Sequence, residues 1–208
     1  MSFSLPEGAE AVERITISAQ PSIPCAALHL ARYSWAASKI IEDFDTPLIQ
    51  VLDVACGTGY GTNLLASSPA LCVGVDSDRD AIVLARKRHS IVEHPEGQAV
   101  FEAGRGEDYL ANQPSSSFDW IVCFETLEHV DNLALLFSEC LRVYHHGFLF
   151  SVPHNEPDGS WPFHKTFGIT KEKIAALLPR DGHVISFYSQ TPQPACQIEP
   201  YSPEPTRC

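Results

Sequence analysis

No stretch of this chain stays apolar for the roughly 20 residues that a membrane-spanning helix needs, so no membrane is expected as a partner. Basic residues are scarce. Lys and Arg total 14 against 26 Asp and Glu, the formal net charge is −12, and the basic residues form no long run. A protein that holds nucleic acid through its phosphates needs a basic surface, so this balance argues against a nucleic-acid partner. The seven cysteines contain no C-x-x-C pair, their number is odd, and several fall in runs that read as core strands. That pattern reads as reduced thiols in a cytoplasmic protein. The first residues carry Ser, Pro and Glu and do not look like a signal peptide, and no internal repeat is visible. What is present suits one globular α/β domain: 208 residues, 44% hydrophobic and 19% charged, enough for a full core.

The organising stretch is Ile49 to Thr62. Ile49 to Val54 is a short β-branched-rich run and reads as a buried parallel strand. It ends in a turn with Gly57, Gly59 and Gly61, and Thr58 to Ala66 reads as a helix. A strand, a Gly turn and a helix start let backbone approach a ligand where side chains are absent. The spacing is G-x-G-x-G, not the G-x-G-x-x-G of dinucleotide sites. Asp53, just before the turn, would repel a pyrophosphate and favour a cationic ligand. S-adenosylmethionine (SAM) has a sulfonium, an ammonium, a carboxylate and a ribose, and no phosphate. Asp76 ends the next apolar run, about where an acid accepting hydrogen bonds from ribose hydroxyls is expected.

Four segments in order resemble the class I SAM-dependent methyltransferases: Val51 to Gly59, Gly74 to Asp78, Phe118 to Phe124, and Leu141 through Pro153. The resemblance implies a Rossmann-like, doubly wound α/β sheet in a three-layer αβα arrangement, with a short or degenerate seventh strand. Sequential βα units need right-handed crossovers, and the cofactor motif belongs at a switch point. The expected order is therefore 3-2-1-4-5. The domain is expected over residues 25–190, between an arm at 1–24 and a proline-rich tail at 191–208. SAM is the implied cofactor. Asp53, Gly57 and Gly59 would hold its methionine end, with Tyr60 covering it, Ala55 and Thr58 also at the cofactor, and Asp76 on the ribose. Ser77, Gly106 and Glu107 would flank the adenine, with Phe124 main chain and Arg32 nearby. Arg105 stands where relatives carry Asp.

Cys25 to Phe44 has helical spacing and contains His29-Leu30-Ala31-Arg32-Tyr33. In bacterial methyltransferases a similar stretch lies over the cofactor, while a solvent-exposed polar face is the alternative. Arg79–His89 reads as a helix, 93–97 as a turn, Ala99–Phe101 as a strand, and Asn132–Val143 as a helix. Tyr144-His145-His146-Gly147 reads as a turn leading to a strand over Phe148–Val152; the paired histidines resemble metal ligands, but neighbouring side chains in a turn rarely converge, so they read as solvated residues. The long connection from Pro153 to Gly168 is placed at the acceptor pocket, with Asn155, Trp161, Phe163 and His164 as lining. Thr170 caps a helix over Lys171–Leu178, and Gly182–Ser189 is the sixth strand.

Glu125, Glu128 and His129 stand at i, i+3 and i+4. A helical turn starting at Glu125 would point all three to one side. Glu125-x-x-Glu128-His129 is similar to a motif in quinone-biosynthesis and small-RNA 3′-end methyltransferases. His164 lies in a segment resembling one that supplies a metal ligand in the latter. The four residues would suit a borderline divalent ion, which would lower the pKa of an acceptor hydroxyl. Otherwise His129 or His164 takes the proton directly. The expected activity is methyl transfer to an oxygen of a small molecule or sugar. The alternatives are an RNA 3′-terminal ribose and a non-catalytic SAM-binding scaffold.

Overall fold

Five apolar runs pair side by side because each can bury both faces. In the computed structural model, which describes residues 24–42, 48–67, 70–89, 97–179, 184–190 and 196–200, they are β1 (Ile49–Val54), β2 (Ala70–Asp76), β3 (Gln98–Ala103), β4 (Phe118–Phe124) and β5 (Tyr144–Ser151). All are parallel, in the order β3-β2-β1-β4-β5. The expected order is therefore the observed one. Between them run α2 (Tyr60–Leu65), α3 (Arg79–His89), α4 (Gly106–Ala111) and α5 (Leu133–Val143), while α1 (Pro24–Glu42) precedes β1. After β5 come α6 (Lys171–Ala175) and an antiparallel pair, β6 (Tyr188–Gln190) with β7 (Ile198–Pro200).

Period-two alternation along β1 decides which helix meets which residue. Ile49 and Val51 join Tyr33, Ile40, Leu65, Ile82 and Phe101 on one face, under α1, α2 and α3. Leu52 and Val54 join Leu110, Leu136, Phe137 and Ile174 on the other, against α4, α5 and α6. This is the three-layer arrangement. The same alternation turns Asp53 toward α1 and α2.

Several bounds differ from the sequence reading. The expected arm up to position 23, positions 93–96 of the turn, and the tail apart from 196–200 lie outside the described residues, and Pro24, expected in the arm, opens α1. β5 starts at Tyr144, because α5 runs into it with no linking residue, so His145 and His146 lie in a strand and not a turn. β6 is three residues long, and 184–187 are irregular. The seventh strand is also three residues and pairs with β6 in a separate sheet, so it is short, as expected, and lies in the tail. α4 was not anticipated. Gly106 permits it, since a Cβ there would sit 2.7 Å from Val54 Cγ1.

Candidate active site

The turn after β1 rests on two left-handed glycines and two close approaches. Gly57 and Gly59 have φ of +56° and +79°, which side chains disfavour. A Cβ on Gly59 would meet Phe101 and Ala85, whereas one on Gly57 would meet nothing within 4 Å, so Gly57 faces open space. At Gly61 a Cβ would strike the Tyr33 ring at 2.1 Å. Its absence lets α1 lie on α2.

Asp53 is fully buried below this turn. Tyr33 donates its hydroxyl hydrogen to Oδ1 at 3.0 Å and Thr62 donates to Oδ2 at 2.6 Å. Burial raises the carboxyl to about 7 against those hydrogen bonds. Expected to hold the methionine end, Asp53 is enclosed in this structure, where it fastens α1 and α2 around the turn. Thr58 and Gly59 are buried as well. Tyr60 packs edge-on against Tyr33 and shares a hydrogen bond with His29 Nδ1 at 3.1 Å. Burial, then the Arg32 charge, lowers His29 to about 4.

The stretch His29-x-x-Arg32-Tyr33 therefore lies over the turn and not on a solvent-exposed face. Arg32 Nη1 is 3.3 Å from Glu125 Oε1, and its Nε donates to Gln190 Oε1 at 2.7 Å. That pairing ties α1 to β4 and β6.

At the end of β2, Asp76 Oδ2 accepts from the Gly57 N–H at 2.8 Å and Oδ1 from the Asp78 N–H at 2.8 Å. Beside it opens a cavity of about 260 Å³, walled by Ala55, Asp76, Ser77, Gly106 and Glu107, with apolar Val75, Val130 and Leu136 and with His129. Five of the twelve residues expected at the cofactor thus line one cavity at the carboxyl ends of β1 and β2. Ala55 holds φ of 61°, a strained value for a residue with a Cβ. Arg105 lies 3.3 Å from Glu107 and 3.9 Å from Asp131, and Lys165 donates to Asp131 at 2.7 Å. This charged rim was missed, as its members are scattered in sequence.

After β4 the chain does not enter a helical turn. Glu125 takes φ of 48°, and its side chain goes to Arg32 and to Ser151, whose hydroxyl donates to it at 2.7 Å. The expected four-residue metal set is corrected accordingly. Glu128, His129 and His164 place one ligand atom each within 4.8 Å of one another, without Glu125. The Glu128 carbonyl accepts from the N–H groups of Lys165 at 2.7 Å and Thr166 at 3.0 Å, which brings His164 alongside. His129 Nδ1 lies 3.2 Å from the Phe163 carbonyl and its Nε2 4.0 Å from Glu128 Oε1, and His164 Nδ1 pairs with Glu156. Glu128 is 1% exposed, and neither carboxylate oxygen has a hydrogen-bond partner. Burial, then the Glu125 charge, pushes it to about 8.

A larger cavity of about 910 Å³ runs beside β5, reaching Arg32, Phe124, Glu125, Ser151 and His154 at the cofactor end. Its walls include Trp35, Phe148, Phe150 and Ile185. Of the expected acceptor-pocket residues, Asn155, Trp161, Phe163 and His164 do not line it. Trp161 is 40% exposed, and the Asn155 N–H is spent on the Ile169 carbonyl at 2.7 Å, closing the base of the loop.

Sheet order, Gly turn and acid-ended β2 define a class I SAM-dependent methyltransferase domain, and comparison with known proteins agrees. Residues 52–151 match the family model described as "Methyltransferase domain". A ubiquinone biosynthesis O-methyltransferase from Thiobacillus denitrificans is 30% identical over 64% of this chain and 55% of its own length. One from Xanthomonas campestris is 30% identical over 78% and 64%. The chain thus spans less than two thirds of these curated relatives. Among solved structures, magnesium protoporphyrin IX methyltransferase from Synechocystis PCC 6803 with bound SAM shares the fold at a TM-score of 0.68 and 17% identity, covering 89% of this chain and 86% of that one. The chain therefore carries a class I SAM-dependent methyltransferase domain.

Proposed function

We propose that this protein transfers a methyl group from SAM to an oxygen of a small molecule. The observation that carries this is the cavity at the carboxyl ends of β1 and β2, which adjoins the Glu128, His129 and His164 cluster through His129. The residues fit the cofactor's adenosyl part. Val75, Val130 and Leu136 supply apolar walls, and Asp76 and Glu107 supply acceptors for hydroxyl or amino hydrogens. Gly57 faces open space where a side chain would intrude, leaving room for the methionine part. SAM, when bound, supplies a methyl carbon already activated by its sulfonium. What remains for the chain is to align the acceptor, exclude water and accept a proton.

The acceptor enters from the apolar cavity beside β5, whose mouth holds Phe124, Glu125 and Ser151. Acids crowd this edge: Asp76, Glu107, Glu125, Asp131 and Glu156. They repel a polyanion, which supports a small molecule over an RNA end. The side chains of Glu128, His129 and His164 also fit a borderline divalent cation. A buried carboxylate without partners is a costly arrangement that a cation would relieve. Such an ion would place positive charge beside the acceptor hydroxyl and favour loss of its proton. In its absence His129, oriented by the Phe163 carbonyl, accepts that proton. Among the described residues no helix is long and apolar enough to cross a membrane, and the described cysteines are free thiols, which supports a cytoplasmic setting.

The test is release of S-adenosylhomocysteine from SAM over pooled phenols, sugars and short RNAs, before and after chelation, with elemental analysis. We expect turnover of phenols or sugars, and a SAM affinity lowered about tenfold in Glu107→Ala. Turnover of RNA alone, or of nothing by a protein that binds SAM, would replace this reading. Full activity in chelator, with no metal found, would leave His129 as the base.

A further inference from the structure

At the opposite end of the sheet, β4 and β5 pair with an irregularity. Phe118 faces Tyr144 and Trp120 faces Gly147, so Asp119 alone opposes both His145 and His146. Bulges are rare in parallel pairs and re-aim side chains. Here the bulge cancels the alternation that would send neighbouring residues to opposite faces. The two imidazoles come together instead, with ring centroids 4.3 Å apart. Gly147 helps set the bulge, because a Cβ there would strike the Trp120 ring at 2.2 Å. Asp119 is already oriented: its Oδ2 accepts from the Gln50 N–H at 2.8 Å, and its Oδ1 lies 3.8 Å from His146 Nε2. One ligand atom from each of Asp119, His145 and His146 lies within 4.8 Å of the others.

We propose that Asp119, His145 and His146 form a binding site for a divalent transition ion of the zinc type, separate from the active site. Two imidazoles and a carboxylate match the donor preference of such ions. In a tetrahedral zinc site the ligand atoms stand about 3.3 Å apart, a closing that exposed His145 and His146 can make by side-chain rotation. Solvent completes the fourth position. Asp119 and Glu125 stand six positions apart along and just beyond β4, placing this site about 20 Å from the cofactor end. Through Asp119 and the Gln50 N–H it joins β1, β4 and β5 at their amino ends. Its occupancy stabilises the outer strand β5 and leaves methyl transfer untouched.

The test uses tag-free protein carrying Glu128→Gln and His164→Ala, so that the cluster at the active site cannot bind metal. Co²⁺ is titrated by its visible d–d absorption and Zn²⁺ by calorimetry, with thermal unfolding alongside. We expect one equivalent to bind with four-coordinate Co²⁺ absorption and a rise in Tm. His145→Ala, His146→Ala and Asp119→Asn, each added singly, should weaken binding about tenfold or more. In a chain with an intact active site His145→Ala, which lines neither cavity, should leave turnover unchanged. No binding in the Glu128→Gln, His164→Ala protein would overturn the proposal, as would affinity unaffected by all three further substitutions.

Discussion

Replacing Gly61 by Ala tests the packing of α1 on the cofactor turn, and the sign of the effect is diagnostic. Gly61 is the second residue of α2, and Gly→Ala inside a helix ordinarily stabilises by about 1 kcal/mol. Here the added Cβ would lie 2.1 Å from Tyr33 Cζ and 2.3 and 2.4 Å from Cε1 and Cε2. The ring has little freedom to retreat. It is 4% exposed, hydrogen-bonded to Asp53 and edge-packed on Tyr60 and Phe124. Overpacking of this kind costs about 1–3 kcal/mol, and drawing the hydroxyl away from a buried carboxyl adds about 1–3 kcal/mol. After the helical gain a loss of about 1–5 kcal/mol remains. For a chain of this size that is a fall in Tm of roughly 2–20 °C. Thermal unfolding followed by circular dichroism, with and without S-adenosylhomocysteine, measures it. In a Tyr33→Ala background the same substitution should be neutral or stabilising, because the ring it strikes is gone. A Gly61→Ala protein melting at or above the parent would refute the argument.

Asp53 sets a pH dependence. Burial raises its carboxyl to about 7, so between about pH 4 and pH 7 the native state keeps a proton that the unfolded chain has released. Stability then falls as pH rises through that window, by up to about 1.4 kcal/mol per unit. Asp53→Asn lacks this slope, and denaturant midpoints at several pH values should show the variant gaining on the parent toward pH 7; parallel curves would contradict it. Arg32→Met removes the partner of Glu125 and Gln190, so amides 188–190 should exchange faster while those of β1 do not change. Asn132→Ala deletes the cap that accepts the Leu135 N–H at 3.0 Å and should cost about 1 kcal/mol, with SAM affinity unaltered in calorimetry.

The sheet was legible because its signals are local. Each strand is a short apolar run, each crossover is long enough for a helix, and the glycines mark one turn. The acid at the end of β2 and the cap at Thr170 were legible for the same reason. Long-range contacts were not. Asp53 reads identically whether it meets a ligand or a tyrosine from a helix 20 positions earlier. The His pair reads as a turn because nothing in its own sequence announces that α5 ends directly in a bulged strand. β6 was overextended because hydrophobic content alone does not separate a strand from irregular chain packed beside it.

One backbone angle explains the largest difference at the site. Spacing i, i+3, i+4 predicts convergence only if residue 125 is helical, and Glu125 instead takes φ of 48°. That conformation costs a residue with a Cβ about 1–2 kcal/mol, and Ser151 holds it in place. The Glu125 N–H points at the Ser151 carbonyl and hydroxyl oxygens, at 3.2 and 3.1 Å, and the Ser151 hydroxyl returns a hydrogen bond to the Glu125 carboxylate. The two acids thereby acquire different surroundings. Glu125 faces Arg32 as a charged pair. Glu128 faces His129 and His164, with no hydrogen-bond partner on either oxygen and with the charge of Glu125 adding to its desolvation. The Glu128 carboxyl is thus driven toward its neutral form, the kind of tuning that acid–base sites exploit. It depends on a serine from the neighbouring strand, 26 positions away, which no spacing within the motif encodes.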